Sequence, residues 1–155
     1  MIILNNNMFL LMVKTFKKTN KISKRLLPII NQGVVNINGC YLFKYFYERN
    51  RHIKLSDFVD KTGYECFINS FHVDYYSSKN ILMESLLFIE QFIIEWNKLN
   101  GSINIQIILS ETKSGYVFRF HRIRENEIWV DSQRLDLFRE SCLVISPVTD
   151  MQFLS

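Results

Sequence analysis

Residues 78–100, SKNILMESLLFIEQFIIEWNKLN, carry the clearest helical periodicity in the chain. At about 100° per residue, Leu82, Leu86, Ile89, Ile93 and Trp96 fall on one stripe. Phe88, Phe92, Met83 and Ile94 widen that stripe until most of the circumference is apolar, with Glu90 and Asn97 at its edge. Glu84, Gln91, Glu95 and Lys98 follow one another along a single polar strip, which predicts an exposed face. A helix with so wide an apolar surface has to be covered on more than one side. The residues that follow have strand character, so the helix is expected to lie across a sheet.

Three strands are expected after Gly101, the residue expected to end the helix in a positive-φ conformation. They are INIQIILSE, GYVFRFHRI and EIWVD, with turns at residues 112–115 and 124–126. A short helical piece at QRLDLFRE and a β-branched strand, CLVIS, stopped by Pro147, complete this half. Upstream, YECFINSFHVDYY alternates as a strand, and Ser77 or Ser78 is placed to cap the long helix. SDFVDKTG has the marks of a short helix, with Ser56 as its cap and Gly63 as its end.

Asn38-Gly39 separates two apolar runs by the two residues that a type I′ turn favours, so a hairpin is expected at VVNINGCYLF. Its second arm is read on through CYLFKYFYERN as an alternating strand whose Tyr41, Phe43, Tyr45 and Tyr47 suit either a core or the stacking of bases. Residues 1–13 resemble a strand or a packed terminal segment. The expected class is therefore α+β: one domain spanning residues 1–155, with an antiparallel sheet, one long amphipathic helix packed on it, and a short N-terminal hairpin and helical region.

The chain of 155 residues is 48% hydrophobic and 14% aromatic, enough apolar material for one core without staples. Cys40, Cys66 and Cys142 are odd in number and each has apolar neighbours, which predicts buried free thiols and a reducing cytoplasm. The apolar run at residues 8–13 is too short for a signal peptide, and its positive charges follow it instead of preceding it. No apolar run reaches membrane-spanning length without an interrupting glutamate, so no membrane partner is expected.

Charge divides the chain. Residues 1–62 hold eleven Lys or Arg against three acids, or +8, whereas residues 63–155 hold eight against twelve, or −4. The basic excess peaks at KTFKKTNKISKRLLP, with Lys14, Lys17, Lys18, Lys21, Lys24 and Arg25 on a surface helix stopped by Pro28. With the tyrosine-rich arm, that segment is what a nucleic-acid-binding module would use, although one interleaved Phe supports it poorly and nucleic acid is not the expected partner.

Chemistry finds little purchase. His121, with Arg119, Arg122, Arg124 and Glu127, could serve a metal-independent nuclease, but opposite charges on adjacent strands pair for structural reasons as well. No Cys lies within four residues of another Cys or of a His, no glycine-rich phosphate loop occurs, and Ser70 with His72 lacks an orienting acid. No enzyme activity, cofactor or metal is expected. Glu84, Glu95, Glu111, Glu125, Glu127 and Asp131 would form an acidic patch if the helix end and strand turns converge, with Tyr116 and Trp129 as aromatic anchors. Such a patch suits a basic protein partner.

From FINSFHVDYY through FIEQFIIEWNKLN to GYVFRFHRIRENEIWVD and LVIS, roughly residues 64–147, the chain resembles the immunity proteins of bacterial contact-dependent inhibition and related polymorphic toxin systems. The most telling piece is Phe118, Arg119, Phe120 and His121, followed by Arg124, Glu127 and Trp129. The resemblance implies a small cytoplasmic protein that binds the C-terminal toxin domain of its own system and neutralises it by covering a nuclease active site or substrate channel. It requires no chemistry of its own. The net +4 departs from the acidic character of many nuclease inhibitors.

Overall fold

A computed structural model describes residues 2–5, 7–8, 22–129 and 139–145. The architecture is α+β with antiparallel sheets and one long helix packed against them. In chain order the elements are β1 (Ile2–Leu4), α1 (Leu27–Asn31), β2 (Val34–Ile37), β3 (Cys40–Phe43), α2 (Lys44–Arg49), α3 (Lys61–Ile68), β4 (Phe71–His72), α4 (Ile81–Asn100), β5 (Ile105–Glu111), β6 (Tyr116–Arg122) and β7 (Cys142–Ile145). Single 3₁₀ turns occupy Leu55–Asp57 and Val73–Tyr75.

The main sheet has the order β1-β7-β5-β6-β4, and β2-β3 form a separate ribbon. β7 is thus inserted between β1 and β5, with Ile3 opposite Val144 and Leu109 opposite Leu143. Its four residues are all buried, which explains why CLVI is a continuous apolar run instead of an alternating one. On one face of the sheet Ile107, Leu109, Phe118, Phe120, Leu143 and Ile145 join Leu86, Ile89, Phe92 and Ile93 of α4 in a single core. The other face carries Ile108, Cys142 and Val144 as a smaller cluster.

Phe43, at the end of β3, is driven into the main core. Its ring lies 5.1 Å from Phe92 and 4.9 Å from Phe120, centroid to centroid, so the ribbon shares the α4–sheet core. The ribbon turns as expected: Asn38 and Gly39 take φ of 53° and 84° between the paired residues Ile37 and Cys40.

Several expectations are corrected. The second arm of the ribbon leaves strand conformation at Lys44 and becomes α2, because Phe43, Phe46 and Tyr47 satisfy helical as well as strand spacing. Residues 64–68, read as strand, belong to α3, which Asp60 caps by accepting the Gly63 N–H at 2.7 Å; Gly63 lies inside that helix instead of ending it, and Ser56 lies in a 3₁₀ turn. α4 is entered through Asn80 at φ 50° without a side-chain cap, and Ser77 donates instead to the Lys79 carbonyl at 3.3 Å. Gly101 has an ordinary right-handed φ of −59°. Of the strand expected at EIWVD, residues 127–129 are described and form none, Glu127 making an isolated bridge with Arg124; residues 130–131 fall outside the described residues. The helical piece expected at residues 133–140 falls mostly outside the described residues, as does most of the basic segment.

Candidate protein-binding surface

Two polar side chains, Glu65 on α3 and Asn69 just past its C-terminus, organise the surface of interest. β4 pairs with β6 at Phe118 and Val117, and the rest of that edge of β6 has no strand partner among the described residues. The outer edge of β3 is likewise free of β2. Glu65 and Asn69, four residues apart, close both gaps. Glu65, which has no exposed surface, accepts the Tyr41 N–H at 2.6 Å and the Arg122 N–H at 3.0 Å. Asn69 accepts the Phe43 N–H at 2.8 Å and donates to the carbonyls of Tyr41 and Phe120 at 2.9 and 3.1 Å. Side chains thus replace the ladder between two strand edges. With the β6 edge taken, the chain leaves the sheet at Ile123, and residues 127–129 are not in a strand.

What it does next depends on Arg124. Its guanidinium donates to Glu65 at 2.6 Å, to Thr62 Oγ1 at 3.2 Å and to the Gly39 carbonyl at the ribbon tip at 3.0 Å. Burial works to lower its pKa, but the hydrogen bond and charge of Glu65 outweigh burial and raise it. Glu127, 3.7 Å from Arg124, accepts the Thr62 N–H at 3.3 Å at the N-terminus of α3. Loop 123–129 is fixed at both ends of this network. It projects Ile128, 79% exposed, and Trp129, 45% exposed.

Trp129 lines a groove of about 430 Å³ together with Phe58, Phe67, Cys66 and Ile68. Phe67 is 52% exposed although it lies on a helix, and its ring is 5.5 Å from that of Phe58. Arg119 reaches the groove with its guanidinium carbon 5.9 Å from the Trp129 ring centroid. Its Nε is buried and has no hydrogen-bond partner among the described residues.

The acidic patch expected from the sequence is not one surface. Glu84 is buried, and its carboxylate accepts the Ser23 N–H at 2.8 Å because the chain before α1 crosses that end of α4; the strip therefore is not exposed along its whole length. Glu95 lies farther along α4, bonded to Gln91 at 3.2 Å and Lys98 at 3.3 Å. Glu111 accepts from Ser141 Oγ at 2.9 Å at one end of β6, beside Tyr116. Tyr116 is buried, not an exposed anchor; burial first and then the Glu111 charge push its phenol up to about 12. Glu125, Glu127 and Trp129 follow the other end of β6, roughly 20 Å away over six strand steps. Of the candidates, the structure gathers these three, and Asp131 lies outside the described residues.

His121 is 3% exposed. Nδ1 stands 2.7 Å from the Arg122 carbonyl and Nε2 3.0 Å from the Gln106 side-chain oxygen, so both ring nitrogens have protein partners. Burial lowers its pKa; a neutral ring donates to only one of these two groups, so with Nδ1–H on the Arg122 carbonyl the Gln106 amide turns its NH2 toward Nε2. Of the basic segment, Lys24 and Arg25 are described, and Arg25 lies 5.9 Å from the Tyr76 ring. Tyr41, Tyr45 and Tyr47 each face a guanidinium, from Arg122, Arg49 and Arg51 at 5.9, 3.6 and 5.6 Å.

The groove is not legible in the sequence because residues 64–68 alternate as a strand would. The signal was present: Asp60 precedes a run in which Glu65 and Asn69 stand one helical turn apart.

Comparison with known proteins agrees over nearly the whole chain. The family model described as "Uncharacterized protein PM0498 family" matches residues 3–152. Uncharacterized protein PM0498 of Pasteurella multocida (strain Pm70) is 32% identical over 137 residues, which cover 82% of this chain and 85% of that protein. No solved structure matches. Among the described residues no helix is long and apolar enough to cross a membrane.

Proposed function

The chain belongs to the uncharacterized protein PM0498 family, and we propose that it works by binding another protein, as a cytoplasmic immunity protein that neutralises a bacterial toxin domain. The resemblance of residues 64–147 to such immunity proteins supplies the class of partner: a C-terminal toxin domain, most simply a nuclease whose active site or substrate channel is covered. The observation that supports a binding role is the loop holding Ile128 and Trp129. Large apolar side chains are exposed there on a backbone already anchored by Arg124 and Glu127, so little conformational entropy remains to be lost on binding. The test is size-exclusion chromatography of the purified protein with the toxin domain encoded immediately upstream of its gene. A one-to-one complex at micromolar concentration is expected, and separate elution of the two proteins would defeat the proposal.

A second reading draws on the arginine–tyrosine pairs of β3 and α2. Guanidinium carbons 3.6 and 5.6 Å from the ring centroids of Tyr45 and Tyr47, near Lys44 and Lys54 in sequence, are a surface on which a nucleic acid could rest its phosphates. That reading expects affinity for bulk DNA or RNA that falls steeply with salt. A protein that shows no retardation of either at low salt excludes it.

A further inference from the structure

The geometry points to the groove between Trp129 and Phe67 as the docking site for a partner's protein segment in which an apolar, preferably aromatic, side chain stands beside a carboxylate. The inference deepens the protein-binding reading and rests on it. Three observations set the chemistry of the occupant. The walls are Phe58, Phe67 and Trp129, and the volume of about 430 Å³ is enough for one large side chain with its neighbouring backbone. Among the described residues Arg119 is the one charged residue lining the groove, a positive charge in a largely apolar frame. Its Nε is buried without a partner among the described residues, so it is the rest of the guanidinium that would meet an incoming carboxylate with a charge-assisted bond. Glu65 cannot supply that carboxylate, being already spent on Tyr41, Arg122 and Arg124.

A macromolecular occupant, and not a small molecule, follows from the rim. Phe67 and Trp129 are each about half exposed, and Ile128, the residue before Trp129, is 79% exposed. A small ligand would leave that rim in water, whereas a protein segment seated in the groove would cover it.

The experiment is panning of a random twelve-residue peptide display library on the immobilised full-length protein, followed by titration of the most enriched synthetic peptide. Enriched sequences are expected to place an aromatic residue within two positions of Asp or Glu. Arg119→Met is expected to weaken that peptide roughly tenfold or more, the loss of one charge-assisted hydrogen bond. Phe67→Ser, a change at a half-exposed side chain that leaves the core intact, is expected to weaken it as well. Far-UV circular dichroism checks that each variant is folded, and Phe67→Ser keeps the test decisive if Arg119→Met is not. Failure to enrich any sequence, enrichment without acidic residues, or binding unchanged in the folded variants would overturn the inference. The toxin-complex experiment fails or succeeds separately, so a lost groove and a lost immunity role are told apart.

Discussion

Nη1 of Arg124 stands 2.6 Å from Oε1 of Glu65, on a carboxylate that also holds the N–H groups of Tyr41 and Arg122 and has no exposed surface. A buried ion pair seldom stabilises more than a well-packed apolar substitute would, but removing one partner leaves an uncompensated charge in the interior. The pair also has a spatial role. It ties α3, the ribbon tip and loop 123–129 to one point, and thereby holds Trp129 at the groove.

Arg124→Ala is therefore expected to destabilise the fold by about 3–5 kcal/mol, read from urea midpoints. Lys98→Ala, which breaks the exposed Glu95–Lys98 pair, is expected to cost less than about 1 kcal/mol. Equal effects of the two substitutions would show that the Glu65–Arg124 pair carries no special load.

Asn69→Ala removes the side chain that accepts from Phe43 and donates to Tyr41 and Phe120. Buried backbone groups then lose partners that water cannot replace, at a cost of roughly 1–3 kcal/mol. Hydrogen exchange at the Phe43 amide is the specific readout. Faster exchange there, with little change in the middle of β5, is expected.

Acid stability should report His121. Burial lowers its folded-state pKa below 6.5, so the unfolded chain binds the extra proton first as pH falls. Its contribution to stability is fully present above pH 6.5 and declines as pH drops from there toward the folded value. His121→Gln should flatten that part of the profile relative to the native chain, measured by urea unfolding at a series of pH values. A parallel profile would locate the acid sensitivity elsewhere.

The three thiols are expected to be silent in the folded protein. Burial pushes the Cys142 thiol up to about 11, raises that of Cys40 and raises that of Cys66 further, so little thiolate exists at neutral pH. Ellman's reagent should find no reactive thiol in buffer and three in denaturant. Rapid reaction of one thiol in buffer would identify a cysteine more open than the packing implies.

Much of this protein was decided locally. The periodicity of residues 78–100 requires a helix covered on more than one side, Asn38-Gly39 requires a tight turn, and the alternation through Tyr116–Arg122 requires a strand with Phe118 and Phe120 turned inward. Those are consequences of bond geometry and solvent exclusion within a few residues. Tertiary structure decided the remainder. Whether CYLFKYFYERN stays extended, whether Glu65 is exposed or spanned by two strand edges, and whether residues 127–129 pair or leave the sheet all depend on partners twenty or more residues away. The same holds for the candidate site: Trp129 was visible as an anchor, but the groove exists only because Asn69 and Glu65 occupy the edge of β6 and Arg124 turns the chain across α3.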